Sequence, residues 1–599
     1  MIRCHDRLLL RFPVLSTRVH VEGDTPRVCY ALATFLPVPS PTLLLTSPSA
    51  LSLIQSSSSN ISNILPFFSG GESSYTAWAH CYTGHQFGSF SGQLGDGASC
   101  SYGHVELDDN SIMELNFKGS GPTVYARGGD GRKVLRSSVR EMLAAEHLHA
   151  LSIPSTRVAT LVVSETETVP RDSHYTGNIK NEPVAVISRL APTFWRFGSF
   201  GLFHPVDEQT HRSGPSATMD DPRSMLLDMI RTVTENFFPE IEPSDPPMTL
   251  FTTITQKTAT LVAKWQVLGF CHGVLNTDNM SVLGLTLDYG PFGWMEHYQP
   301  TYVCNASDTT GRYAYNAQIA MCRWNLETLA SKYWTGLLPE QEVVQALRDY
   351  DTTVVSSMHT LVCEKMGLVD SPAQTEVVAA FWKTLEKTGG DLTLSFRHLS
   401  QVSSLSAING NTATLPTALF VQHSASLLQM SKMSAPHLNT GILSQIEAML
   451  VGKNEAQMND MLNQLGNHFG ASGDYLRDQL RLGKETAVWK NTTCEQFQDM
   501  QTEAWETFLT LYQERLREDA IDENDATRMT KMNLKNPIMV LRNHVAQTAI
   551  TYAENRQLEK LETLFHALIH PYDDDPQIPT SLKEPLPDTM EPISVTCSS

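Results

Sequence analysis

Apolar and polar side chains alternate from residue 112 to 118, with Met113, Leu115 and Phe117 on one side and Glu114, Asn116 and Lys118 on the other. That period of two predicts a half-buried strand. Residues 134–151 change to helical spacing, which sets Leu135, Val139, Met142, Leu143 and Leu151 on one stripe before Pro154 closes the element. A second strand is predicted at Val184–Leu190, beyond a polar loop at 165–183, and a short hairpin at 282–287 from Val282, Leu283, Leu285 and Leu287. From Ser224 onward helices take over, first Met225–Asn236, then Lys257–Phe270 with Leu261, Val262, Trp265 and Leu268 on one face. Helical patterns recur at 340–366, 373–388, 442–465, 497–518 and 541–570, with no repeat of fixed period.

The two ends are patterned differently. Residues 1–75 carry a Pro/Ser-rich stretch (Pro37–Pro48) and the run Ser56–Ser59, and predict an irregular lead-in. Residues 571–599 hold six prolines and many acids, and predict an extended tail. The fold class is therefore α+β: a mixed β/α lobe at 76–223, a helical lobe whose core is 224–335, and a helical C-terminal extension at 336–570.

A chain of 599 residues with 41% hydrophobic and 18% charged residues can bury more than one core. Its 44 basic residues stand against 64 acidic ones, a net charge of -20 that argues against a nucleic-acid partner. The ten cysteines form no CxxC pair and no Cys/His cluster at zinc spacing, which disfavours a structural zinc site and a secreted disulfide framework. The most apolar run, Leu43–Leu53, is interrupted by Thr46, Ser47, Pro48 and Ser49, so no membrane segment is expected. Arg3, Arg7, Arg11 and Arg18, with Asp6 as the one acid of the first twenty residues, resemble an organelle transit peptide.

The chemistry concentrates in the run from His272 to Asn279 (HGVLNTDN) and in Asp288, Tyr289 and Gly290. An Asn closing a catalytic loop and an Asp opening a D-x-G turn are hard oxygen ligands of the kind that hold Mg²⁺ on nucleotide phosphates. In a protein kinase the catalytic Asp stands two residues after the His; here that position is Val274, which can neither orient nor deprotonate a hydroxyl. Asp278 is the nearest carboxylate that replaces it. Lys118 at a strand end and Glu141 on the next helix follow the order of a phosphate-binding Lys and the Glu that fixes its rotamer. Between Lys118 and Arg140 six cations face the single acid Asp130, a local reversal of sign that suggests an anion site.

Glycines cluster in the same lobe, at Gly92, Gly95 and Gly97, at Gly119 and Gly121, and at Gly128, Gly129 and Gly131. They suit close approach of backbone to phosphate and equally suit hairpin turns. Arg189 and Arg196 flank one strand end, where two guanidinium groups can clamp a terminal phosphate or form surface ion pairs.

Taken together, the motifs at 84–88 (GHQFG), 92–97 (GQLGDG), 118–122 (KGSGP), 130–138 (DGRKVLRSS), 196–198 (RFG), 272–280 and 288–293 resemble the selenoprotein O family over roughly residues 75–335. The resemblance implies a protein-kinase-like two-lobed fold, with an N-lobe at 76–223. It also implies a protein adenylyltransferase that binds ATP in a flipped orientation and moves AMP to Ser, Thr or Tyr hydroxyls of protein substrates. Carried onto this chain, Asp278 is the proton acceptor and Asn279 and Asp288 hold Mg²⁺ or Mn²⁺. Gly95, Gly97, Lys118, Asp130, Gly131, Glu141, Arg189, Arg196 and Asp288 contact the nucleotide. Many members have Arg after the Gly-Asp-Gly turn; this chain has Ala98. Cys597 stands where animal members carry selenocysteine, and eukaryotic members are mitochondrial.

Two other readings compete: a phosphotransferase (kinase) using the same metal site, and a catalytically silent pseudokinase that binds partners and senses redox state. Val274 disfavours the first, and retained Lys118, Glu141, Asn279 and Asp288 disfavour the second. A Cys304–Cys597 disulfide is expected as a redox gate, because Cys304 lies sixteen residues after Asp288 and the tail is long enough to reach it.

Overall fold

The computed structural model describes residues 14–15, 29–54, 64–71, 76–404 (except 108, 110, 173–176 and 243), 415–436, 438, 440–469, 473–519 and 524–596. The arginine-bearing first eleven residues and Cys597 lie outside these.

Among the described residues, ten strands form the N-terminal layer: β1 (Val14–Leu15), β2 (Tyr30–Ala33), β3 (Pro41–Thr46), β4 (Ala77–Gln86), β5 (Ser89–Gly95), β6 (Ser99–Glu106), β7 (Ile112–Lys118), β8 (Lys133–Val134), β9 (Arg157–Arg171) and β10 (Lys180–Ala191). Their order is β1-β2-β4-β6-β7-β10-β9-β3, with β5 added to β4 and β8 to β10. All pairings are antiparallel except β1 with β2. The lead-in expectation is thus corrected for part of its length. Leu44 and Leu45 are buried in β3, which pairs with β9, and Tyr30 is buried in β2. A run too short and proline-flanked to show periodicity finds its strand partner far along the chain.

Helix α1 (Leu135–Ala150) lies on this sheet with Leu143, Ala144, Ala145 and Leu148 fully buried. The expected polar loop at 165–183 is shorter than its composition suggests, because β9 and β10 extend into it and pair from Lys180–Arg171 onward.

Helix α2 (Pro222–Phe237) starts on a proline, with the Asp221 side chain accepting from Ser224 N. Helix α3 (Pro247–Leu268) ends at Gly269 and α4 (Glu340–Met366) at Gly367, both in the left-handed region. The predicted helices at 442–465 and 541–570 are each two helices. The first pair is α5 (Thr440–Leu450) and α6 (Glu455–Phe469), and the second is α7 (Asn543–Glu554) and α8 (Leu558–Ile569). α7 and α8 pack on α1, and His147 of α1 bonds the Leu568 carbonyl at 2.7 Å. Residues 539–582 therefore share the main core with the sheet, while Phe381, Phe396, Trp505, Phe508 and Tyr512 build a second core. The expected tail at 571–596 is docked, with Ile578, Leu582, Leu586 and Val595 buried. Among the described residues, no helix is long and apolar enough to cross a membrane.

The predicted hairpin at 282–287 does not form. Ser281 bridges to Arg196 and Thr286 to Ser155, so partners from elsewhere in the chain take its backbone groups. These two bridges tie the 281–286 segment to residues that flank β9 and β10.

Candidate functional site

Register in the sheet sets the first charges. Ile187 of β10 stands opposite Lys118, the last residue of β7, and Arg189 stands opposite Asn116. The Asn116 carbonyl oxygen accepts from Arg189 Nε at 3.1 Å and Nη2 at 2.7 Å, which fixes that guanidinium. Glu141, buried on α1, accepts from Lys118 Nζ at 2.7 Å, so the strand-to-helix pair expected from sequence is formed.

Asp288 joins this group from the other side of the cleft. Its Oδ1 accepts from Arg189 Nη1 at 2.9 Å and lies 3.5 Å from Lys118 Nζ; its Oδ2 accepts from Arg196 Nη1 at 2.5 Å. Arg196 also donates to the Asp278 carbonyl at 2.8 Å and stacks over Tyr82 at 4.2 Å. Burial by itself would raise the Asp288 pKa, but Arg196, Lys118 and Arg189 hold it well below the usual carboxylate range. Asp288 adopts φ +58°, a left-handed conformation that turns its carboxylate toward the cations.

The 272–279 loop is clamped by the β4–β5 hairpin. His85 N bonds Thr277 Oγ1 at 2.8 Å, Phe87 N bonds Asn276 Oδ1 at 3.2 Å, and Gln86 Nε2 donates to Asp278 Oδ2 at 3.0 Å. The other oxygen, Asp278 Oδ1, is buried without a hydrogen bond among the described residues. Burial pushes the Asp278 carboxyl up to about 6, against the pull of the Gln86 bond and Arg196. Space for that carboxylate exists because residue 84 is glycine: a Cβ there would sit 2.2 Å from Oδ1. Asn279 donates from Nδ2 to the Val274 carbonyl at 2.8 Å, so its carbonyl oxygen is oriented by the loop itself. The Val274 side chain brings no acid or base to this loop.

A cavity of about 260 Å³ opens between these elements. Of the residues expected from sequence, Gly97, Lys118, Glu141, Asn279 and Asp288 line it, and Ala98 lies on the same wall. Arg189 and Arg196 stand behind Asp288, and Asp278 lies against Gly84 and Gln86 outside the lining. Gly95 and Gly131 are also outside it, in tight backbone crossings: a Cβ on Gly95 would meet the Tyr125 ring at 2.4 Å, and one on Gly131 would meet Gly121 C and Pro122 N at 2.1 Å. Asp130 faces away, bound through both oxygens to Arg171 at 2.8 Å.

Sequence reasoning missed Tyr82, Gln86, Asp96 and Lys133 as members of this region. Gln86 and Tyr82 sit on a strand whose motif was visible, but their partners lie 192 and 114 residues further on. Lys133 was visible only as one charge of a basic run. A larger cavity of about 490 Å³, between residues 421–429, 494–501 and 584–588, contains none of the expected site residues.

The expected Cys304–Cys597 bond is not shown, since Cys597 lies outside the described residues. Cys304 is buried as a free thiol whose Sγ lies 3.4 Å from the Cys271 carbonyl, and Val595 of the returning tail pairs with Asn305 next to it.

Comparison with known proteins adds an independent line. Residues 37–569 match the family described as "Protein adenylyltransferase SelO". The chain is 41% identical over 524 residues to a Danio rerio protein named "Protein adenylyltransferase SelO-1, mitochondrial", covering 82% of this chain and 73% of the relative. Against the Mus musculus "Protein adenylyltransferase SelO, mitochondrial" it is 38% identical, covering 95% and 87%. A bacterial relative, "Protein nucleotidyltransferase YdiU" of Pectobacterium atrosepticum, is 32% identical over 523 residues, covering 87% and 86%.

Proposed function

Because this chain belongs to the SelO family, we propose that it is an ATP-dependent protein adenylyltransferase of the mitochondrion, built on a kinase-like two-lobed fold. The carrying observation is one cavity that gathers Lys118, Asn279 and Asp288 while Val274 stands where a kinase has its base. Phosphate-binding charge is kept and the γ-phosphoryl-transfer base is gone.

Each residue then has a task. Lys118, held by Glu141, meets the phosphates, and Arg189 and Arg196, standing behind Asp288, supply positive charge toward the distal phosphates when the nucleotide lies flipped, which turns the α-phosphorus toward the 272–279 loop. Gly95, Gly97 and Gly131 keep the surrounding loops close-packed, and Asp130 is held by Arg171 beside Gly131. The oxygens of Asn279 and Asp288 are hard donors that suit Mg²⁺ or Mn²⁺, which when bound would offset charge on the leaving pyrophosphate. A protein Ser, Thr or Tyr hydroxyl oxygen bonds to the α-phosphorus as the bond to the β-phosphate oxygen breaks. The hydroxyl proton passes to Asp278, whose carboxyl at about 6 is ionised at neutral pH yet basic enough to accept it. The return of the tail beside Cys304 supports a Cys304–Cys597 bond that governs access to this region; peptide mapping under non-reducing conditions tests it.

The deciding experiment is transfer from ATP labelled at the α- or the γ-phosphate. Protein-bound label from α-labelled ATP alone is expected; label from γ-labelled ATP alone would make the protein a kinase.

A further inference from the structure

The described cations that line the nucleotide cavity are Lys118 and Lys133. Lys118 is committed to Glu141 and Asp288, whereas Lys133 has no ion pair and no side-chain hydrogen bond with any described residue. Lys133 opens β8, opposite Ala185 of β10, and its Cβ passes close over Gly119, where a side chain would come within 3.1 Å of it. Its backbone position is therefore fixed by the sheet, and its half-buried side chain lines the cavity. Burial and then Lys118 push it down to about 8, Arg189 adds to that, and Glu141 and Asp288 oppose it.

A half-buried ammonium with no direct ion pair is costly, and a protein keeps one where an anion arrives to pair with it. On the same wall stands Ala98, the position at which the GDG turn of this chain lacks a guanidinium. We propose that Lys133 is a ligand for the nucleotide's polyphosphate, supplying from β8 the positive charge that Ala98 does not. The assignment rests on the adenylyltransferase reading, since it takes ATP as the anion. It predicts that the group Lys133 holds is the β- or γ-phosphate, because the α-phosphate must face the Asp278 loop, where the hydroxyl proton is accepted.

The test uses the full-length protein and the variants Lys133→Met, Lys133→Arg and Lys133→Met with Ala98→Arg. Binding of ATP, inorganic pyrophosphate and AMP is measured by calorimetry alongside unfolding midpoints without ligand. Lys133→Met should weaken ATP and pyrophosphate on the order of 10- to 100-fold, the range for losing a hydrogen bond to a charged group, and leave AMP unchanged. Lys133→Arg should keep most of the affinity, and Ala98→Arg should restore it in the Met background. Without ligand, Lys133→Met should unfold no earlier than wild type, since a half-buried charge with no direct ion pair has been removed. ATP affinity of wild type should fall as pH rises above 8, where the free ammonium loses its proton, and this fall should vanish in Lys133→Arg. Equal losses for ATP and AMP, or wild-type ATP binding in Lys133→Met, overturn the assignment while the adenylyltransferase reading stands. Failure of wild type itself to bind ATP would instead remove the reading on which it rests.

Discussion

At Asp288 three cations meet one partly buried carboxylate, itself 21% exposed, with Arg189 and Arg196 2% and 1% exposed. At Arg481, in the helix Gly473–Trp489, one cation meets three carboxylates, Glu386, Asp478 and Glu485, and is 38% exposed. The count of charges is similar and the physics is not. Exposed pairs are screened and contribute roughly 0–1 kcal/mol, while buried ones carry a desolvation cost that their mutual attraction only offsets when the geometry is good. A chain that keeps the costly arrangement at one place and the inexpensive one at another is marking the first as the place where charge has work to perform.

The largest break in that comparison is Asp288→Ala. Removing it takes away a metal ligand and leaves Arg189, Arg196 and Lys118 facing one another, so transfer from α-labelled ATP should fall by about 10²-fold or more. Stability should fall by about 3–5 kcal/mol, as for other broken buried pairs. Because its folded pKa lies well below 3.8, the stability Asp288 contributes is present above that value and is lost as pH falls. Full activity in this variant would remove the site assignment.

Asp278 sharpens the comparison, since it is a buried carboxylate with the opposite sign of shift. Raised to about 6 from 3.8, it favours the folded state when protonated, and this contribution is lost as pH rises from about 4 to 6. Asp278→Asn should therefore abolish transfer yet stabilise the fold at pH 7 by up to about 3 kcal/mol, while ATP still raises the unfolding midpoint. Wild-type transfer should climb tenfold per pH unit below about 6. Loss of the ATP-dependent shift together with activity would make Asp278 part of the nucleotide scaffold instead.

Gln86 should give a smaller effect of a distinct kind. Gln86→Leu removes the hydrogen bond that lowers the Asp278 pKa, so the rise in the pH profile should move upward, with about a tenfold loss below neutrality and recovery at higher pH. A loss that is uniform across pH would mean that Gln86 only holds the loop in shape.

These residues differ in how far the sequence exposed them. Lys118, Glu141, Asn279 and Asp288 were legible because local pattern placed each on its element and the kinase-like order linked the elements. Gln86 and Tyr82 were not, since their partners on other elements, Asp278 and Arg196, lie 192 and 114 residues further along the chain. The 282–287 segment was misread for the same reason: its alternation of apolar residues is real, but Arg196 and Ser155 claim the backbone that a hairpin would use. Asn555–Gln557 divides what periodicity joined at 541–570, because α8 must turn back onto α1. Strands β2 and β3 were hidden by prolines and short length, and became strands through partners at β4 and β9.

The smallest expected effect belongs to Arg481, and its smallness is the content of the prediction. Arg481 bonds Glu485 Oε1 at 2.8 Å and Glu386 Oε1 at 2.8 Å, distances as short as those around Asp288. If distance decided energy, Arg481→Gln would rival a mutation in the cleft. Exposure decides otherwise, because water solvates the carboxylates once the guanidinium is gone and salt already screens them. The small core beside it, Leu443, Ile446, Leu462, Leu476 and Leu480, does not use the charge. Arg481→Gln should therefore lower unfolding free energy by less than about 1 kcal/mol, and by less still in 0.5 M salt, with transfer unchanged. Denaturant unfolding at low and high salt checks this. A loss near that of Asp288→Ala would show that the helical region also depends on its ion pairs, and the contrast between the two regions would have to be drawn on other grounds.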